Sequence, residues 1–191
     1  MNIQNFTPFE PTWGEIFERQ KELKFIYEPE AEELFKNFDI DCFEDQELFK
    51  KYCWRITEEL TEALEAHFKD GMGHIQEELI DAMNFSIELM LLYGWSYKQF
   101  DLVSPPHFGW GIINQISSTI YSLGLTANCL KNRQWRRSQY LVDLLVFEKR
   151  FKEFLAGGYR LLRQFFKSDE EIRRAWSLKY QVNLFRIKTN Y

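Results

Sequence analysis

An all-α fold, a helical bundle forming one domain over residues 1–191, follows from three observations on the sequence. Long segments repeat apolar residues every three or four positions, as Ile56, Leu60, Ala63 and Leu64 do, which is the spacing of one buried helix face. No stretch alternates apolar and polar residues over more than a few positions, so none reads as a strand. Short runs rich in Gly, Pro and Asp separate the helical segments, among them Lys69-Asp70-Gly71-Met72-Gly73 and Ser104-Pro105-Pro106.

Taken in order, residues 1 to 12 carry Pro8 and Pro11 and read as an extended lead-in. A first helix follows from about Trp13 to Tyr27, with Ile16, Phe17, Gln20, Leu23 and Phe25 spaced for partial burial. Glu28-Pro29 opens a short helix through Phe35 and Phe38, and the FDIDCFED run reads as a connection with capping acids. Two long helices then span residues 45 to 94. The first runs from about Asp45 to Phe68, carrying Trp54 as a core residue or else a base-stacking platform, and the second ends near Tyr93-Gly94, where glycine takes a left-handed cap. Beyond the proline break, residues 109 to 130 carry the stripe Ile112, Ile116, Ile120 and Leu123. Lys131, Arg133, Arg136 and Arg137 then gather around Trp135 in a basic loop suited to phosphate. Residues 138 to 167 are helical in pattern, with a break or kink expected at Gly157-Gly158. The last helix, from about Ser168 to Tyr191, opens on the capping box Ser168-Asp169-Glu170-Glu171 and places Lys179, Asn183 and Arg186 on one face.

Composition narrows the classes of function. The chain is 45% hydrophobic and 28% charged, and 191 residues suffice for a substantial core. Eighteen Phe, nine Tyr and six Trp mean that rings build much of that core or an oligomer interface. A net charge of −5 argues against a partner held by phosphate neutralisation, so no nucleic acid is expected. Cys42, Cys53 and Cys129 lack metal-type spacing and cannot all pair, which fits packing residues in a reducing, cytoplasmic setting. No apolar run approaches the length of a membrane span, and no membrane association is expected.

Four carboxylates carry the chemistry. With about 100° of rotation per residue, a three-residue step leaves two side chains about 60° apart, so Glu59 with Glu62, and Glu78 with Asp81, each form a two-acid edge. Acids at helical spacing are ordinarily a solvated face. Here two such edges lie on adjacent helices, each beside an apolar stripe: Ile56, Leu60 and Ala63 on one, Ile75, Leu79, Ala82, Met83, Ser86 and Met90 on the other. If the helices fold back on one another, the edges meet and require a cation. Hard oxygen donors favour Mg²⁺, or Mn²⁺, over zinc, and Mg²⁺ shares its shell with substrate phosphates. A di-iron carboxylate bundle would need Glu-x-x-His pairs, but the residues three before His67, His74 and His107 are Leu64, Gly71 and Ser104.

The pattern Glu59-x-x-Glu62 followed by Glu78-x-x-Asp81 resembles the metal-binding signature of the all-α NTP pyrophosphatase superfamily, which includes MazG-like enzymes, dimeric dUTPases and phage dCTPases. The C-terminal run SLKYQVNLFRIKTNY resembles the closing motif of the dUTPase and dCTPase branch, falling on Lys179, Asn183, Arg186 and Tyr191. The resemblance implies a homodimer that hydrolyses a deoxynucleoside triphosphate, dUTP or dCTP, to the monophosphate and pyrophosphate. Glu59, Glu62, Glu78 and Asp81 would hold the metal, and Lys179 and Arg186 would stabilise phosphate charge. Gln20, Asn84, Asn183 and Tyr191 would contact the nucleotide, and Glu58 or Glu77 would orient the attacking water. Asn84 departs from the His usual at that place in dimeric dUTPases, which leaves base and sugar preference open. The alternatives are a MazG-like enzyme of broader specificity and a non-catalytic regulatory or interaction protein on the same scaffold.

Overall fold

Thr12 opens the first helix: its hydroxyl accepts the Glu15 amide, and the Glu15 carboxylate in turn accepts the Thr12 amide, so each satisfies a donor the helix leaves unbonded. In a computed structural model that describes residues 7–69, 71–101, 111–131 and 141–189, this helix is α1 (Trp13–Tyr27). It is followed by α2 (Ala31–Asn37), α3 (Phe43–Lys69), α4 (Met72–Leu92), α5 (Tyr97–Asp101), α6 (Ile112–Asn128), α7 (Leu144–Phe165) and α8 (Asp169–Thr189). Among the described residues every regular element is a helix. None is long and apolar enough to cross a membrane.

The α3–α4 hairpin is the centre of the molecule. Gly71, with φ of 85°, sits in the left-handed region and lets the chain reverse between the two helices, which then pack along most of their length. Gly94, with φ of 79°, follows the end of α4 in the same conformation. The expected stripes of both helices are buried, except that Leu64 and Ser86 are half-exposed. α1 and α8 pack on one side of this hairpin, while α6 meets α3 and α7 meets α4 on the other. The N-terminal lead-in is held on α8, where the Phe9 amide donates to the Ser177 hydroxyl and Gln181 donates to the Thr7 carbonyl.

Rings form the second half of the core. Phe49, Tyr93, Phe147 and Phe151 meet edge to face with centroids 5.1 to 6.1 Å apart, and Trp95 stacks on Phe151 at 4.9 Å. Much of the aromatic surplus is therefore used inside the chain.

Four expectations are corrected. The glycine pair does not break α7, which runs continuously through Gly157 and Gly158. Gly157 is buried against α6, where even a Cβ would stand at ordinary contact distance, 3.4 Å from the Thr119 hydroxyl, so packing along α6 carries the helix through two residues of weak helix propensity. The helix expected from residue 138 starts at Leu144, with Asp143 accepting the Val146 amide as its cap. Trp54 is not a core residue: it is 65% exposed, and its indole donates to Glu58. The Ser168 cap of α8 accepts the Glu171 amide, but the Glu171 carboxylate reaches one residue further back than in a capping box, to the Lys167 amide. Ser104-Pro105-Pro106, the basic loop from Arg133 to Arg137, and Tyr191 lie outside the described residues.

Candidate metal centre and adjoining cleft

The α3–α4 packing brings Glu59, Glu78 and Asp81 together, with one carboxylate oxygen from each lying within 4.8 Å of the others. Glu59 and Glu78 are buried, and Asp81 is half-buried. Glu62, the fourth expected ligand, is exposed beside this group of three. Its charge still acts on both Glu59 and Glu78.

The electrostatic consequence is visible in the acids' affinities for protons. Burial, reinforced by the charges of Asp81, Glu62 and Glu78, pushes the Glu59 carboxyl up to about 7. Glu78 is raised by burial and by Asp81, against a 2.7 Å contact from His74 Nε2 that pulls it down. Asp81 is raised by burial, although the Lys179 ammonium opposes the shift. Three acids so placed favour any species that supplies positive charge.

One such charge comes from α8. Lys179 Nζ lies 2.5 Å from Asp81 Oδ2 and donates to Glu77 Oε1 at 2.9 Å, across 102 positions of sequence. Burial disfavours this ammonium, but Asp81 and Glu77 outweigh burial and raise its pKa. Asn183, one turn further along α8, reaches the adjoining cleft. Arg186 is exposed, yet its charge acts on Asp81 and Glu77. The basic and amide residues that the spacing puts on one face of α8 therefore lie toward the acids, a relation that comes from helix packing. Glu77 is engaged by Lys179, and Glu58 by Arg55 and Trp54, so neither is a free carboxylate in this arrangement.

A cleft of about 340 Å³ opens next to the acidic group, between α1, α3, α4 and α8. Its lining includes Asp81, Asn84 and Asn183, together with Gln20 from α1. Gln20 is buried and donates to Glu88 Oε1 at 2.8 Å. Asn84 is also buried, and its carbonyl accepts the indole N–H of Trp176 at 2.8 Å, which fixes the amide against the α8 side of the cleft.

Arg55, Phe85, Lys24 and Glu88 also line the cleft and were not singled out by sequence reasoning. Arg55 lies over the Phe85 ring at 4.9 Å and 3.6 Å from Glu59. Glu88 carried a usable signal: it is the one acid within the apolar run Ile87–Leu92, where a charge is costly unless it is partnered.

The three clustered groups could hold a metal ion: all offer hard carboxylate oxygens, with no thiolate among them and with His74 turned onto Glu78. The adjoining cleft is of a size to take a small polar ligand beside such an ion. No protein-family model, no curated protein and no solved structure matches the chain.

Proposed function

We propose that the protein is a metal-dependent nucleoside triphosphate pyrophosphohydrolase that converts a deoxynucleoside triphosphate, dUTP or dCTP, to the monophosphate and pyrophosphate. The observation that carries this reading is the convergence of Glu59, Glu78 and Asp81 within 4.8 Å beside a polar cleft, with Lys179 already drawn onto Asp81. Buried like charges destabilise the ligand-free fold, and such an arrangement is sustained where a ligand repays it.

Glu59, Glu78 and Asp81 would hold Mg²⁺, with Glu62 reaching in from the rim. When bound, the ion supplies charge neutralisation for the triphosphate and acidifies a coordinated water. Lys179, fixed on Asp81 and Glu77 before the reaction, and the exposed Arg186 would offset negative charge that builds on the phosphates. Asn84 is held by Trp176 so that its amide keeps one orientation toward the ligand, and Asn183 supplies a second amide from α8. Tyr191 lies outside the described residues, and the family resemblance alone assigns it a contact with the nucleotide. A homodimer accords with the large apolar side chains that remain exposed at the start of α7, Leu144 and Leu145 among them.

The test is pyrophosphate release from a panel of deoxynucleoside and ribonucleoside triphosphates, with Mg²⁺ and with chelator. Metal-dependent release is expected. Silence across the whole panel would leave the regulatory or interaction role as the reading of this scaffold.

A further inference from the structure

Each of the three clustered acids is met by a basic side chain, and the three bases differ in kind. Lys179 meets Asp81 with an ammonium, and Arg55 stands 3.6 Å from Glu59 with a guanidinium. His74 meets Glu78 with an imidazole, Nε2 standing 2.7 Å from Oε1. Helix stabilisation does not account for this last pair. His74 lies in the first turn of α4, at the positive end of the helix dipole, and a base that precedes its acid by four positions is the weaker order for such a pair. Nor is it a solvated pair such as Lys36 with Glu32, both more than half exposed, because the Glu78 side chain is only 10% exposed.

We propose that His74 is a positioning residue for the metal centre: its imidazole, as a neutral hydrogen-bond donor, holds Glu78 Oε1 and so fixes a carboxylate whose second oxygen is left for the ion. This rests on the metal part of the function proposed above and adds a residue to it. Carboxylates that ligate an ion are themselves held by hydrogen bonds, and loss of such a partner typically weakens metal affinity about 10–100-fold. Of the three bases, only the imidazole supplies that hydrogen without a permanent charge, since arginine and lysine stay protonated at a pH where an ordinary imidazole is neutral. A fixed cation would hold the carboxylate as well but repel the ion that the carboxylate serves. The His74 side chain is 47% exposed, so replacing it leaves the core intact.

The test is Mn²⁺ binding to the full chain at pH 8 without nucleotide, followed by calorimetry and by the electron paramagnetic resonance of the ion. His74→Phe keeps a ring and removes the donor, and its dissociation constant is expected to rise about 10–100-fold. His74→Gln returns an N–H near the place of Nε2 and is expected to bind within about 3-fold of the wild type. His74→Lys keeps a partner for Glu78 but makes it a permanent cation, and is expected to bind at least as weakly as His74→Phe. A plain ion pair would rank the Lys variant above the Gln variant, so this comparison decides the matter even if His74→Phe does not fold.

Equal binding by the wild type and all three variants would overturn the role of His74 and leave the metal centre standing. Tighter binding by His74→Phe would also overturn it, by showing that the imidazole competes with the ion for Glu78. A nitrogen coupling to the bound Mn²⁺ that disappears in His74→Phe would make His74 a ligand instead, again against the proposal. Absence of Mn²⁺ binding to the wild type would overturn the metal centre and this role together.

Discussion

The helix pairs α3–α4 and α6–α7 lie against each other and treat charge in opposite ways. Among the described residues, the buried side chains of α6 and α7 include no ionisable group: Gln115, Ile116, Thr119, Leu123 and Thr126 face Phe147, Phe151, Phe154, Leu155 and Gly157. The α3–α4 pair buries Glu59, Glu78 and Glu88 amid Ile56, Leu60, Leu79 and Met83. The contrast teaches where stability resides and where it is given up. The α6–α7 pair gains from close packing of rings and a glycine, while the α3–α4 pair accepts like-charge repulsion that an external cation would relieve.

The largest expected effect tests the packed pair. Phe151 is fully buried and touches Phe49, Tyr93, Phe147 and Trp95, so Phe151→Ala should cost about 3–5 kcal/mol in urea unfolding. A loss below about 1 kcal/mol would mean that this half is not the rigid one.

Asp81→Ala tests the other pair. Pyrophosphate release should fall by at least about 100-fold, roughly 3 kcal/mol in the barrier, while far-ultraviolet circular dichroism stays native. The fold should persist because Glu59 and Glu78 lose a repelling neighbour and Lys179 keeps Glu77. Glu62→Ala, at the exposed rim, should reduce turnover less than Asp81→Ala.

The acidic pair should also give the ligand-free protein a pH-dependent stability. Glu59 titrates near 7 in the fold against 4.5 when unperturbed, so the folded state holds its proton more tightly than the unfolded chain. Stability is then highest below about pH 4.5 as far as this group is concerned, and falls as pH rises through about 7, by up to about 3 kcal/mol. Glu78 and Asp81, also raised, act with the same sign. Thermal melts in chelator from pH 5 to pH 8 should show the decline, and Glu59→Gln should flatten it. A melt that rises over this range would contradict the repulsion argument.

Millimolar Mg²⁺ at pH 7.5 should restore much of that loss. At ten to a hundred times its dissociation constant the stabilisation is about 1.4–2.7 kcal/mol, read as a rise in Tm, and Asp81→Ala should diminish it. Trp54→Ala marks the small end of the scale: an exposed ring bonded to Glu58 should contribute less than about 0.5 kcal/mol to stability.

Much of this organisation is legible in local pattern. The apolar repeat places α1, α3, α4, α6 and α8 close to their observed bounds, because a helix commits each side chain to a direction about 100° from the last and burial then selects one face. The same rotation pairs Glu78 with Asp81 and aligns Lys179 with Asn183. What local pattern could not assign was the relation between faces. Glu59 and Glu62 have the same spacing as Glu78 and Asp81, yet the rotation of α3 against α4 buries Glu59 and leaves Glu62 outside. The glycines of α7 resemble a break until α7 is seen packed along α6, with Gly157 buried between them. Trp54 resembles a core residue until the rings of α7 and the α4–α5 turn take the interior. The contacts of Lys179 with Glu77, and of Gln20 with Glu88, join positions 102 and 68 apart, and such pairs form only after each helix has already been placed by its own apolar face. Periodicity is a property of one helix, whereas the acidic group and its cleft arise from the packing of four.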